Sequence, residues 1–310
     1  MALPLAFGAM YLGTRQDDAA SFALLDAFLA GGGRWIDTAN IYAYWETGTR
    51  RGGQSEETIG RWLRANPGVR ESVLISTKVG VAPLSGGGRE GLSARVVERE
   101  LARSMDRLGV DRVDLYWAHG EDRATAVEET VEAMTRLAAE GLTDRLGWSN
   151  HPTWVVEHGE AVCWELGRPG FSALQLSHSY LQPRPGAQAE LNEHPHGWVT
   201  AESLDFVRRH PEWELWAYSP LLRGAYDRPD RPLPGGYRHE GNDRRLAVLA
   251  DVAAELGVSP GQVVLAWLTG GEPRIVPVLG ASTVDQVRAG LAGAALELSP
   301  EHRARLDAAY

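Results

Sequence analysis

Eight short apolar runs, each followed by a longer amphipathic stretch, set the strongest limit on what this 310-residue chain can fold into. The runs lie at 5–10, 34–39, 72–78, 112–119, 143–150, 171–177, 213–219 and 274–280. Short apolar segments bounded by turn residues read as buried strands. Between them "DDAASFALLDAFLAGG", "QSEETIGRWLRANP", "SARVVERELARSMDRLG", "AVEETVEAMTRLAAEG", "PTWVVEHGEAVCWELG", "AESLDFVRRHP" and "STVDQVRAGLAGA" carry apolar residues at helical spacing. The stretch 243–271 divides into two helices at Ser259-Pro260, because proline suits a helix's first turn and not its interior. Gly31, Gly109, Gly141 and Gly257 each close a helical pattern, as left-handed C-terminal residues would. Strand–helix alternation implies a parallel sheet. Eight strands over this length point to a closed (β/α)8 TIM barrel rather than an open doubly wound sheet. No GxGxxG follows the first strand, which removes the main signal for a dinucleotide-binding open sheet. No linker or compositional break divides the chain, so residues 1–310 read as one α/β domain.

Composition enters as a filter. Hydrophobic residues make up 44% and charged residues 23%, as expected of a globular chain. The net charge of −10 argues against a nucleic-acid surface and against attraction to anionic membranes. No basic, apolar leader and no run of about 18 apolar residues stands out. The lone Cys163 allows no intrachain disulfide, which fits a cytoplasmic protein.

In such a barrel, the loops after the strands cover the face where active sites form. Three of them are long: 43–53, 178–198 and 223–243, after strands two, six and seven. The same strand ends carry Asp37 with Tyr42 just beyond, Lys78, His119, Ser149-Asn150 and Gln175. Singly, each suits an ordinary structural role, such as a turn cap, a packed ring or a paired rim charge. Together, on successive strands, they suit chemistry. A phenol is a poor acid at neutral pH, and a nearby ammonium favours its phenolate. An aspartate would hold that ammonium, and a histidine would position a carbonyl oxygen, giving a proton donor and an oxyanion pocket. No side chain supplies electrons, and "LNEHPHGW" lacks the ligand spacing of a metal site.

These segments resemble the aldo-keto reductase family. "WIDTANIY", "LISTKVG", "LARSMDRLGVDRVDLYWAH", "LGWSN", "AYSPLLRG" and "VLGASTVDQV" follow its motifs in order, over about residues 5 to 295. The resemblance implies an NADPH-dependent reductase of aldehydes or ketones, NADH remaining an alternative. Tyr42 would be the proton donor, Lys78 would lower its pKa, Asp37 would pair with Lys78, and His119 would orient the carbonyl. Ser149, Asn150 and Gln175 would bind the nicotinamide carboxamide, and Tyr218 would stack on its ring. Ser219, Leu221 and Arg223 would line the pyrophosphate path, and Gly280, Ala281, Ser282 and Gln286 the adenosine phosphate. The family is largely monomeric.

Departures from the family pattern also show. The N-terminal hairpin and the long C-terminal loop of some members look absent. Ala289-Gly290 stands where a Glu-Asn pair often reads adenine. Gly280 and Gln286 stand where basic residues often read a 2′-phosphate. Tyr11, Tyr44, Trp45, Trp117 and Trp148 would wall the substrate pocket, with loop residues 181–198 and 225–241, although Trp117 and Trp148 equally suit packing within the barrel. Three further readings stand beside the general reductase: a keto-sugar reductase, a cofactor-binding regulatory subunit with little turnover, and a cofactor-free isomerase or lyase. The partner in the leading reading is a small-molecule carbonyl compound.

Overall fold

The structure, a computed structural model, describes residues 3–46, 51–189 and 196–309; parts of the loops expected at 43–53 and 178–198 therefore lie outside the described residues. Among the described residues, eight strands alternate with ten α-helices: β1 (Ala6–Gly8), α1 (Asp18–Ala30), β2 (Trp35–Asp37), α2 (Gln54–Ala65), β3 (Leu74–Val79), α3 (Ala94–Leu108), β4 (Leu115–Ala118), α4 (Val127–Ala139), β5 (Leu146–Ser149), α5 (Thr153–Leu166), β6 (Ala173–Ser177), α6 (Ala201–Arg209), β7 (Glu214–Tyr218), α7 (Glu240–Leu256), α8 (Pro260–Thr269), β8 (Ile275–Leu279), α9 (Val284–Ala295) and α10 (Pro300–Asp307). The strands pair in sequence order, all parallel, and β8 closes onto β1.

The two-residue period of the strands sends alternate side chains into the barrel and out toward the helices. The outward set, including Phe7, Ile36, Ile75, Tyr116, Leu174 and Leu215, packs with Phe28, Ile59, Leu101 and Met134 of the helices in one core. The inward set, Ala6, Leu115, Trp117, Ala173, Trp216 and Val278 with Trp35 against them, plugs the barrel. Trp216 meets Trp35 edge-on at 5.2 Å and Trp117 at 5.4 Å. Gly147 makes room for this plug, because a β-carbon there would stand 2.2 Å from the Trp117 ring. Trp117 is thus fully enclosed packing and not the pocket wall the sequence suggested. Trp148 points outward and stacks on Phe171 at 4.3 Å, so it is not a pocket wall either.

Helix ends obey local rules. Asp17 caps α1 through the Ala20 N–H at 2.9 Å, and Ser259 caps α8 reciprocally with Gln262. Gly109, Gly141 and Gly257 take left-handed φ values of 68°, 79° and 65°. Gly31 does not: its φ is −82°, and Gly32, at 89°, makes the left-handed turn instead. Among the described residues no single helix is long and apolar enough to cross a membrane.

Candidate active site

Strand register brings the polar strand ends to one mouth. Asp37 pairs in register with Ser76, and Lys78 with Trp117, one strand further on. Both Asp37 and Lys78 are completely buried. The Lys78 ammonium spends all three of its donors: on Asp37 Oδ2 at 2.5 Å, on the Thr38 carbonyl at 2.9 Å and on the Tyr42 hydroxyl at 3.0 Å. Asp37 Oδ1 accepts from Ser76 Oγ at 2.6 Å, and Gln175 Nε2 approaches it at 3.5 Å across the barrel. A buried ion pair holds only when its remaining hydrogen-bonding positions are filled, and here they are. Tyr42 lies in the turn after β2, and its ring meets His119 edge-on at 5.9 Å.

The electrostatics depart from one expectation. Lys78 was expected to lower the Tyr42 pKa, but burial, reinforced by Asp37 and Tyr11, pushes the phenol well above its ordinary value. Burial also lowers Lys78, with Asp37 opposing that shift. His119 falls well below the usual imidazole range through burial, with Lys78 and Arg89 adding to the effect, so its ring is neutral. Its Nδ1 is enclosed without a hydrogen-bond partner. The set therefore offers a protonated phenol, a fixed ammonium and a neutral imidazole.

Behind this layer stand residues that sequence reading passed over. Thr38 Oγ1 shares a 2.8 Å hydrogen bond with Ser55 Oγ, which donates to the Ala9 carbonyl at 2.7 Å. Glu56, fully buried at the start of α2, accepts from Thr77 Oγ1 at 2.5 Å and pairs with Arg107 of α3. These bonds tie α2 to β2 and β3, where the reacting side chains are mounted. The one sequence signal was Thr38, inside the quoted "WIDTAN"; Glu56 sits in a polar string typical of an exposed first turn.

The second half of the mouth is also assembled. Asn150, at a left-handed φ of 62°, donates from Nδ2 to the His119 carbonyl at 2.9 Å and to Ser149 Oγ at 3.1 Å. Tyr218 donates its hydroxyl to Asn150 Oδ1 at 2.8 Å. A hydrogen-bonded chain thus links Tyr218 on β7 to the backbone of His119 on the far side. After Tyr218 the backbone takes left-handed conformations at Ser219, Leu222 and Arg223, with φ of 56°, 47° and 60°. Such strain in residues other than glycine is typical of ligand-holding turns. Leu221 packs partly against the core. A cavity of ≈ 440 Å³ opens beside Tyr218, Ser219 and Arg223, with Arg184, Trp198 and Tyr237 on its other walls.

At the start of α9, Gly280 faces open space, since nothing lies within 4 Å of where its β-carbon would stand. Ala281 packs partly on the core. Gln286 Oε1 turns back to accept from Ser282 N at 2.7 Å and Ser282 Oγ at 3.0 Å. Gly290 is set by packing, because a β-carbon there would stand 2.4 Å from Leu279. Arg288, at the helix surface, approaches Asp285 at 3.4 Å. An open helix N-terminus with hydroxyls suits a phosphate, so these residues fit the distal end of a dinucleotide, though without a fixed basic clamp. Tyr11 is half-buried, with Arg15 over its ring at 4.1 Å. Tyr44 is half-buried near Tyr42, and Trp45 is 46% exposed.

Comparison with known proteins agrees with this geometry. The family model described as the Aldo/keto reductase family matches residues 4–310. The chain is 29% identical over 306 residues to the aldo-keto reductase str7 of Strobilurus tenacellus, covering 94% of this chain and 81% of that one. It is 27% identical over 321 residues to the aryl-alcohol dehydrogenase [NADP(+)] of Phanerodontia chrysosporium, covering 96% and 80%. A thermostable aldo-keto reductase solved with the inhibitor epalrestat superposes with a TM-score of 0.75 at 25% identity, over 99% of this chain and 95% of that one. The barrel, its motifs in order and these relatives make one case: the chain belongs to the aldo/keto reductase family and is an oxidoreductase of that type.

Proposed function

We propose that the protein reduces an aldehyde or ketone to an alcohol with NADPH, at the mouth formed by Asp37, Tyr42, Lys78 and His119. The observation that carries this reading is the Lys78 ammonium, whose three donors tie Asp37, the Thr38 carbonyl and the Tyr42 hydroxyl into one unit. NADPH, when bound, supplies the hydride. Tyr42 is protonated at neutral pH as any phenol is, burial raises its pKa further, and it passes that proton to the carbonyl oxygen. Lys78 then faces the phenolate and stabilises it. Asp37 holds Lys78 charged against the cost of burial. His119, being neutral, can direct an Nε2–H at the same oxygen and fix its position.

The NADP(H) assignment rests on the family and on a relative named for NADP(+). Tyr218, Asn150, Ser149 and Gln175 line the nicotinamide end, Ser219, Leu221 and Arg223 the pyrophosphate, and Gly280 to Gln286 the adenosine phosphate. Helix dipole and hydroxyls replace a basic clamp there, so NADPH should bind more tightly than NADH by less than about tenfold, the loss of one charged hydrogen bond. Quenching of tryptophan fluorescence by each cofactor measures this. Affinity for neither cofactor, or an NADPH preference above about a hundredfold, would contradict it. A cytoplasmic setting belongs to the same reading. Burial pushes the Cys163 thiol up to about 12, which makes it inert packing rather than a reactive group.

A further inference from the structure

Arg89 stands apart from the other charges around the mouth. It lies in the loop between β3 and α3, a small hairpin in which Glu90 N–H bonds the Ala82 carbonyl at 2.9 Å and Pro83 bridges Arg89. The hairpin is pinned at its base. Glu90 Oε1 accepts from Gly80 N at 2.8 Å and from Asn40 Nδ2 at 2.8 Å, which ties the loop to the segment that carries Tyr42. Arg89 Nη1 lies 4.0 Å from the point where a β-carbon on Gly120, the residue that follows His119, would stand. The side chain is half-buried, and among the described residues it makes no ion pair and no side-chain hydrogen bond.

The acids nearest to it in the chain are engaged elsewhere. Glu90 is occupied as described, and Glu121 pairs with Arg123 at 3.1 Å. Asp122 accepts from Leu92 N, Ala124 N and Thr125 Oγ1 at 2.8, 2.9 and 2.7 Å. In a chain of net charge −10, a half-buried guanidinium left without a carboxylate is a poor choice for stability alone. Its planar fork is suited to a two-oxygen grip on a carboxylate or phosphate. Arg89 is close enough to His119 to help lower that imidazole's pKa, and Gly120, next after His119, carries no side chain.

We propose that Arg89 binds an anionic group, carboxylate or phosphate, on the carbonyl substrate, so that oxo acids or oxo phosphates are preferred over neutral carbonyls. This rests on the carbonyl-reductase reading above. The test compares kcat/KM for 4-carboxybenzaldehyde, 4-formylphenyl phosphate and benzaldehyde in the wild type, Arg89→Ala and Arg89→Lys. The ratio of anionic to neutral kcat/KM should fall about tenfold to a hundredfold in Arg89→Ala, the loss of a charge-assisted bond, and recover in part in Arg89→Lys. The anion with the larger wild-type ratio identifies the group recognised. Equal ratios in wild type and Arg89→Ala would overturn the proposal while leaving carbonyl reduction intact. If no aldehyde is reduced at all, the function reading fails, and direct titration of the NADP+-treated protein with benzoate and with phenyl phosphate decides the anion site. Binding at least tenfold weaker in Arg89→Ala supports the site; binding that Arg89→Ala does not alter, or none in the wild type, sinks it.

Discussion

Replacing Tyr42 by Phe should lower kcat for carbonyl reduction by about 100- to 10,000-fold, the usual range for a general acid, while cofactor affinity stays within about twofold. The substitution deletes one oxygen. That oxygen lies 3.0 Å from Lys78 Nζ, which keeps Asp37 and the Thr38 carbonyl as partners, so the ion pair survives. The residues expected around the nicotinamide, from Ser149 to Tyr218, hold one another through Asn150 and not through Tyr42. Steady-state kinetics beside fluorescence titration separates the two effects. A variant that reduced carbonyls at more than about a tenth of the wild-type rate would show that the proton comes from elsewhere.

Lys78→Met should be the most damaging single change to the fold at this site. It leaves the Asp37 carboxylate wholly buried without its cation and supported, among the described residues, only by Ser76 at 2.6 Å and by Gln175 at 3.5 Å. Removing one partner of a buried pair costs about 3–5 kcal/mol, a large share of the 5–15 kcal/mol typical of a folded protein. Adding Asp37→Asn should restore much of that stability, because the second change removes the orphaned charge, and it should restore no activity. Urea unfolding of the single and double variants reads the first point, and turnover reads the second. A single variant less than about 1 kcal/mol below wild type would mean that the pair is solvated in solution.

The barrel was legible because its two periods are clean. A run such as "VDLYWAH" places Leu115 and Trp117 inward and Tyr116 outward, and helices such as α3 bury one stripe. Ends were less legible. The fourth strand was expected at 112–119 and runs only Leu115–Ala118, since Arg112 turns out to pair with Asp144 at the surface and Val113 keeps a single bridge. Asn150 was expected within the fifth strand and leaves it, through a left-handed turn that lets its amide reach the His119 carbonyl. Asp37, Tyr42, Lys78 and His119 could be named from strand ends because charges there need partners. Trp117 and Trp148 were harder, because an indole reads alike whether it walls a pocket or fills a core; Gly147 against Trp117 and the stacking of Trp148 on Phe171 decide for the core. The bracing by Glu56 and Arg107, and the placement of Arg89 beside Gly120, join residues far apart in the chain and leave no local pattern.

The proton shift at Tyr42 was misjudged for a physical reason. The sequence showed a lysine near a phenol, and Coulomb attraction alone lowers the phenol's pKa. The structure adds burial of the phenol, with Asp37 and Tyr11 nearby, and these push its pKa up. For an acid that must be protonated before it acts, an upward shift is the useful direction.

Whether this mouth reduces carbonyls is read most directly by incubating the wild-type protein with NADPH and 4-carboxybenzaldehyde, following loss of NADPH absorbance and quantifying the alcohol. The expected result is alcohol formed in equal amount to the NADPH consumed, with no consumption when the aldehyde is omitted. NADPH left intact with this aldehyde and across a panel of other aldehydes and ketones would contradict the assignment of Tyr42, Lys78, Asp37 and His119 as a reducing site.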